Sequence, residues 1–319
     1  MKYPIKYQII QKLADGEFHS GEALGQDFAM SRAAISKHMK GIADWGVEFD
    51  SVKGKGYQLE RPLNLLDETK IREAVSTPVD FIPVIDSTNQ YLLNQLDTLE
   101  QGQVCVAEYQ EKGRGRRGRH WVSPFGTNLY FSMYWKLESG MAAAMGLSLV
   151  IGVAVVNALE SLGAKDIKLK WPNDIYYQDK KLAGILIELS GQAGAAADLV
   201  IGMGLNIQMT QAQQQSIDQP WSSLAQVFDG EIPDRNQLVI AFIQAWQQIL
   251  QDYEAHGMQA YVSRWNQLDN FKDKPIKLIM GNKEVVGTER GINEQGAVLL
   301  ETEQGVEPYI GGEISLRKA

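Results

Sequence analysis

The sequence predicts an α+β protein in three units: an N-terminal winged helix-turn-helix, a central mixed-sheet domain and a C-terminal SH3-like β-barrel. Three observations carry this. Residues 1–62 hold three short amphipathic helical patterns and then a hairpin pattern. Residues 63–270 mix strand-like and helix-like runs that do not alternate strictly, which argues for a mixed sheet with helices packed on it. The last unit, 271–319, is made of short strands punctuated by Gly and Asn turns. A length of 319 residues suits two or three domains, and 44% hydrophobic with 22% charged residues is ordinary for a globular chain.

In the first unit Ile5, Ile9, Ile10 and Leu13 recur at helical spacing, and Asp15-Gly16 ends that helix. Ser20 is placed to cap a second helix whose Leu24 and Phe28 face inward. Ser31 caps a third, with Ala34, Ile35, Met39, Ile42 and Trp45 as its apolar stripe and Gly46 as its stop. The other face offers Arg32, Ser36, Lys37 and Lys40 and no acid. Segments 47–49 and 57–59 then flank Lys53-Gly54-Lys55-Gly56, a hairpin with lysines at its tip. A small packing domain would show the same periodicity. The acid-free face and the lysine tip favour DNA, with Ser31, Arg32, Ser36, Lys37, Lys40, Lys53 and Lys55 as candidate contacts. A lone winged helix reads few bases, so a dimer on a two-fold operator is expected. Residues 1–62 hold nine Lys/Arg and eight Asp/Glu, so the net charge of −8 sits in the body, which would repel nucleic acid.

Composition excludes several classes. The N-terminus lacks the apolar core of a signal peptide. The apolar run 141–159 is broken by Gly146, Ser148, Gly152 and Asn157 and reads as a buried helix instead of a membrane span. Cys105 is the only cysteine and sits among apolar neighbours, an inert core thiol. The four histidines are scattered without metal-ligand spacing, so no protein-held structural metal is expected. A cytoplasmic protein follows.

Arg61-Pro62-Leu63 marks the boundary to the central domain, because proline there blocks continuation of either element. Strands are expected at 104–109, 129–135, 167–171, 182–189 and 199–207, and helices at 87–96, 143–162 and 237–254. Asp86-Ser87-Thr88-Asn89 puts short polar groups at a helix start, where free backbone donors can hold a carboxylate or urea-like group; an N-cap alone would look the same. Lys170-Trp171-Pro172-Asn173-Asp174 sets charged and polar groups around a rigid proline. Lys180-Lys181 leads into the apolar strand that ends at Glu188, and a solvated turn explains a lysine at a strand mouth poorly.

Gly113-Arg114-Gly115-Arg116-Arg117-Gly118-Arg119-His120-Trp121 is the densest motif. Glycine keeps its backbone mobile and close to a ligand, and each arginine offers a planar fork to carboxylate or phosphate. Its G-x-G-x-x-G spelling is nominal, since the dinucleotide fingerprint needs a helix and Pro124, Gly126 and a strand-like run follow here. A basic RNA-binding patch and a lid over a negatively charged intermediate remain. In the C-terminal unit, strands are expected at 276–280, 284–288, 297–301 and 306–309.

Taken together, Ser31-Arg32-Ala33-Ala34-Ile35-Ser36-Lys37-His38, Asp86-Ser87-Thr88-Asn89-Gln90-Tyr91, the Arg/Gly loop, Lys170-Trp171-Pro172-Asn173-Asp174, Lys181-Leu182-Ala183-Gly184-Ile185-Leu186 and Gly311-Gly312-Glu313-Ile314-Ser315-Leu316 resemble the bifunctional biotin protein ligases that also repress the biotin operon. The resemblance spans essentially the whole chain, with the first 15 residues and 208–235 least alike. It implies a central domain resembling class II aminoacyl-tRNA synthetases. It also implies a two-step reaction, in which biotin and ATP with Mg²⁺ give biotinyl-5′-AMP and pyrophosphate. A lysine of the biotin carboxyl carrier protein of acetyl-CoA carboxylase then takes the biotinyl group. Arg116 and Lys181 match catalytic positions, and Ser87, Thr88, Asn89, Gln110, Gly113, Arg114, Gly115, Arg116, Lys181 and Gly184 match biotin-binding ones. Arg117, Arg119, Trp121, Asn173, Asp174, Asn206 and Trp221 match the nucleotide or metal side. Family members also order the stretch 209–221 around adenine, although Gln211-Ala212-Gln213-Gln214-Gln215 is unusually polar for that. The adenylate would act as corepressor, favouring a homodimer on biotin operator DNA, with no membrane partner. A lipoate- or octanoate-type ligase, a regulator that senses a small acid without chemistry, and an RNA-binding protein are the rivals.

Overall fold

The computed structural model describes residues 3–192, 195–210, 213, 217, 219–311 and 314–318. Helices α1 (Pro4–Leu13), α2 (Gly21–Asp27) and α3 (Arg32–Ala43) precede the antiparallel hairpin β1 (Phe49–Val52) and β2 (Gly56–Leu59). The Ser20 and Ser31 hydroxyls accept from the Ala23 and Ala34 N–H groups at 3.0 and 3.2 Å, satisfying helix-end donors as the sequence predicts. The first strand starts at Phe49 and not at Val47: Gly46 turns the chain at φ +77°, and Val47 drops into the core. That core is shared with the next unit. Trp45 stacks on Tyr109 at 5.5 Å and on Phe125 at 5.6 Å, so the end of α3 rests on the central domain.

The central domain adds α4 (Glu68–Ala74), β3 (Val79–Phe81), β4 (Val84–Ile85), α5 (Thr88–Leu93), β5 (Val104–Ala107), β6 (Tyr109–Gln110) and β7 (Asn128–Leu137). Then come α6 (Leu147–Ser161), β8 (Ile167–Lys170), β9 (Asp174–Tyr177), β10 (Lys180–Gly191), β11 (Ala197–Asn206), α7 (Leu224–Val227), α8 (Arg235–His256) and α9 (Gln259–Leu268). Its sheet runs β3-β5-β7-β11-β10-β9-β8. Only β3 and β5 pair parallel within it, so the sheet is mixed as expected. Side chains alternate across a strand. Leu129, Phe131 and Met133 of β7 and Leu199, Ile201 and Met203 of β11 face the main core, where α6 and α8 pack. Tyr134 and Val200 face the opposite way, against Leu92 of α5. Gly202 and Gly204 share that second face, and this position makes them matter below.

Six central elements lay outside the sequence expectations: helices α4, α7 and α9 and strands β3, β4 and β9. Helices α4 and α7 and strands β3, β4 and β9, the last starting directly after Asn173, are too short or too weakly periodic to announce themselves, whereas α9 has a helical period that went unread. The C-terminal unit has β12 (Pro275–Met280), β13 (Lys283–Ile292), β14 (Val298–Thr302), β15 (Gly305–Tyr309) and an unexpected fifth strand, β16 (Ile314–Lys318), in the antiparallel order β15-β14-β13-β12-β16. Strand β16 pairs with β12, far back in the chain, which no local pattern reveals. Among the described residues no helix is long and apolar enough to cross a membrane, and Cys105 is buried and free.

Candidate active site

A cavity of about 340 Å³ opens on the α5 face of the sheet. The Arg/Gly loop, the 170–174 turn, β10, β11 and β16 wall it. Its floor is glycine. Gly184 and Gly204 are ladder partners. A Cβ on Gly204 would lie 2.3 Å from the Trp121 ring, and one on Gly202 would lie 1.9 Å from Asn89 Oδ1. Any larger residue would push these side chains off the floor.

One half of the cavity is neutral and closely hydrogen-bonded. Ser132 Oγ donates to Asn89 Oδ1 at 2.6 Å and lies 2.7 Å from Thr88 Oγ1. Asn89 Nδ2 donates to Glu188 at 2.9 Å and to the Leu186 carbonyl at 3.3 Å. Gln110 Oε1 accepts from the Thr88 N–H at 3.0 Å, and its Nε2 donates to Ser123 Oγ at 3.1 Å. The Gln90 N–H is taken by Ser87 Oγ at 3.4 Å. Two donors of this helix start are therefore already used, which corrects the expectation of free backbone donors there. The side chains form the polar surface instead. Arg114 closes the mouth with a 2.7 Å ion pair to Glu188.

The other half is cationic. Lys181 Nζ stands 2.7 Å from Asp174 Oδ1, and Lys170 Nζ stands 3.9 Å from Asp174 Oδ2 and 3.0 Å from the Tyr176 hydroxyl. Burial opposes ionisation of Asp174, yet Lys181 and Lys170 hold its carboxyl below the ordinary value. Burial pushes the Lys170 ammonium down to about 8, against the pull of Asp174. Arg116 Nη1 donates to Asn173 Oδ1 at 2.8 Å and Nη2 to the Ile314 carbonyl at 3.3 Å, so one arginine ties the loop to the 170–174 turn and to β16. Asn173 in turn donates to the Ile185 carbonyl at 2.6 Å. The described residues contain no cluster of three or more metal-ligating groups. Asp174 is the buried carboxylate of this half, and both lysines are turned on it.

Ser87, Thr88, Asn89, Gln110, Arg114, Gly115, Arg116, Arg117, Arg119, Trp121, Asn173, Asp174, Lys181 and Gly184 all line this cavity. Gly113, Asn206 and Trp221 do not. Gly113 lies behind the loop, where a Cβ would meet the Trp121 carbonyl at 2.5 Å. Asn206 and Trp221 line a neighbouring cavity of about 60 Å³, together with His120, Trp121, Val122, Lys181, Ile217 and Gln219. Trp121 thus stands between two compartments, its ring 5.3 Å from Lys181 Nζ. Asn206 donates to the carbonyls of Ser222 and Lys181 at 3.1 and 3.4 Å. The polar stretch Gln211-Ala212-Gln213-Gln214-Gln215 lies outside the described residues except for Gln213. Sequence reasoning missed Ser132, Glu188, Gly202, Gly204 and Arg317 as lining or supporting residues, and gave Lys170 a place in a polar cluster but no role. Glycines inside the strand Ile201-Gly202-Met203-Gly204 were a usable signal, because strand glycine marks a close approach. Arg317 gave none.

On the N-terminal unit, Arg32, Lys37 and Lys40 are exposed along α3, Ser36 is half-buried beside them, and Lys53 and Lys55 are exposed at the hairpin tip. Ser31 spends its hydroxyl as the cap of α3.

Residues 81–206 match the biotin/lipoate A/B protein ligase family, 273–317 the biotin protein ligase C-terminal domain and 6–58 a helix-turn-helix domain. The chain is 53% identical over 312 residues to the bifunctional ligase/repressor BirA of Salmonella typhimurium, covering 98% of this chain and 97% of that one. It is 51% identical over 316 residues to BirA of Escherichia coli, covering 99% and 98%. The biotin protein ligase of Aquifex aeolicus, solved in complex with biotin and ATP, is similar with a TM-score of 0.68 and 29% identity, covering 76% of this chain and 99% of that one. A cavity with a neutral and a cationic half, in a chain that also carries a helix-turn-helix unit and is this similar over its full length, permits one conclusion: the chain belongs to the BirA family of bifunctional biotin protein ligases and repressors.

Proposed function

We propose that residues 63–270, closed by 271–319, join biotin to ATP as biotinyl-5′-AMP and pass biotin to a lysine of a biotin carboxyl carrier protein, while residues 1–62 bind biotin operator DNA. The single observation that carries the reading is the division of the cavity. The neutral Ser87, Thr88, Asn89, Gln110 end suits a ring rich in amide-like groups, and the Arg116, Lys181, Lys170 end suits phosphate. A biotin carboxylate oxygen attacks the α-phosphorus, and the bond to pyrophosphate breaks. Two anions meet in that step, so cations are required at the point of contact, and Lys181 and Arg116 supply them. Asp174, paired here with Lys181, would be the carboxylate to hold a Mg²⁺ brought by ATP, which would offset charge on the phosphates. The carrier amine then attacks the anhydride carbonyl, loses a proton, and AMP leaves. Closure of the Arg/Gly loop keeps water from that anhydride.

The corepressor role follows the same chemistry. Strand β9 covers β10 only over Lys180 to Gly184 and Asn173 takes the Ile185 backbone, so among the described residues no strand pairs with the β10 edge from Ile187 toward Gly191, where Leu189 is exposed. A second copy pairing along this edge gives the homodimer, and an adenylate that binds the pairing-competent state more tightly shifts the population toward it. ATP–pyrophosphate exchange with and without biotin, and with lipoate as control, tests the reading. Exchange that depends on biotin supports it; exchange with lipoate alone, or with neither acid, removes it.

A further inference from the structure

One buried ion pair of the molecule lies outside the cavity. Glu108, between β5 and β6, is fully buried, and Arg235, the first residue of α8, is 4% exposed. Glu108 Oε2 lies 2.7 Å from Arg235 Nη1, and Glu108 Oε1 accepts from the Leu66 N–H at 2.6 Å. A cation at the first position of a helix opposes the helix dipole, and two buried charges are costly to desolvate. Local structure therefore does not account for Arg235. What it touches does.

The rest of its guanidinium reaches two further carbonyls. Nη1 donates to Asn64 at 2.9 Å and Nη2 to Asn128 at 2.6 Å. Asn128 is fully buried, opens β7, and is the ladder partner of Asn206 at the end of β11. Its Oδ1 accepts from the Ile207 N–H at 3.0 Å, and the Gln208 N–H donates to the Thr127 carbonyl at 2.9 Å. Strand β11 ends here, at Asn206. The Lys181 N–H donates to the Pro220 carbonyl at 3.1 Å and the Ser222 N–H to the Lys181 carbonyl at 2.8 Å. The Ala225 N–H donates to the Ile207 carbonyl at 3.0 Å. Hydrogen bonds thus run from Arg235 through Asn128 to Ile207, and the adjacent residue along the covalent chain, Asn206, donates its Nδ2 to the Lys181 and Ser222 carbonyls.

We infer that Arg235, anchored by Glu108, is a positioning residue for the nucleotide half of the adenylation reaction, acting through Asn128 and Ile207 on Asn206 and the Lys181 and Ser222 carbonyls it holds. The inference rests on the adenylation reading above. It touches neither the neutral pocket nor the reacting atoms. The effect is therefore selective: biotin binding is left alone and ATP binding is weakened. A residue needed only for folding would lower both together or lower neither.

Arg235→Lys retains a cation beside Glu108 and loses the second arm to Asn128. In biotin-dependent ATP–pyrophosphate exchange, its KM for ATP rises about tenfold, the size expected when a hydrogen bond from a charged group is lost. Its Kd for biotin, by calorimetric titration, stays within about twofold of the parent. Asn128→Ala leaves the ion pair whole and cuts the next link, so it shows the same split, and the double variant is no worse than the poorer single one. An unchanged KM for ATP in Arg235→Lys, or equal losses for biotin and ATP, overturns the inference. If Arg235→Lys does not fold, Asn128→Ala decides alone by the same two readings. Failure of the parent to exchange at all counts against the adenylation reading and not against the pair.

Discussion

Gly202→Ala is the sharpest probe of the glycine floor. The added Cβ would sit 1.9 Å from Asn89 Oδ1, 2.7 Å from its Cγ and 3.0 Å from its Nδ2. Asn89 has little room to yield. It is 4% exposed, accepts from Ser132 at 2.6 Å and donates to Glu188 at 2.9 Å. Forcing a methyl into such a packed place costs about 1–3 kcal/mol. Where the ring binds only with Asn89 in place, that cost appears as biotin affinity, a loss of roughly fivefold to 150-fold at 1.4 kcal/mol per tenfold. Calorimetric titration with biotin measures it, and a thermal melt in parallel shows how much falls on the free protein. Asn89→Ala removes the clashing atoms, so in the melt the double variant is less destabilised than the sum of the singles. Gly204→Ala is the companion: its Cβ meets Trp121 and not Asn89, so it weakens ATP more than biotin. Biotin affinity and melting both equal to the parent's in Gly202→Ala would refute the floor.

Three further outcomes follow from the same geometry. Lys181→Ala slows adenylate formation by about 10²-fold or more in single-turnover quench experiments, as loss of a transition-state donor does; an unchanged rate takes Lys181 out of the chemistry. Arg116→Gly removes the ties to Asn173 and Ile314, so biotinyl-5′-AMP leaves faster in a chase experiment, and a rate equal to the parent's counts against the lid. At the junction with the C-terminal barrel, Glu289 keeps its proton up to about 10, first because it is buried and then because Asp269 lies beside it. The unfolded chain gives that proton up near 4.5, so this stabilisation is full below 4.5 and is lost as pH rises through about 10. Glu289→Gln should flatten the fall in melting temperature over that window, and parallel curves for the two proteins would sink the assignment.

Much of this was legible along the chain because it is local. Periodicity placed α1 to α3 and α8, serines marked two caps, and the apolar runs at 129–135 and 199–207 marked the strands that became β7 and β11. The polar clusters at Ser87 and Asn173 and the Arg/Gly loop were also legible, since each packs its chemistry into a few consecutive residues. Helix α9 was available but unread: Tyr261, Trp265 and Leu268 recur at helical spacing. Long-range pairing decided the rest. The ladder that sets Gly184 opposite Gly204 fixes where Trp121 can lie, and β16 becomes a strand only because β12 is there to pair with it. Glu188 and Ser132 look like ordinary strand residues until the sheet turns them toward Asn89. Arg235 looks like a misplaced charge at a helix start until Glu108, more than a hundred residues earlier, comes to lie against it. Sequence alone determined which chemical groups this protein carries and the local elements that hold them. Tertiary structure decided which of those groups meet, because a contact between distant segments depends on sheet order and register, and neither is written in any short stretch of chain.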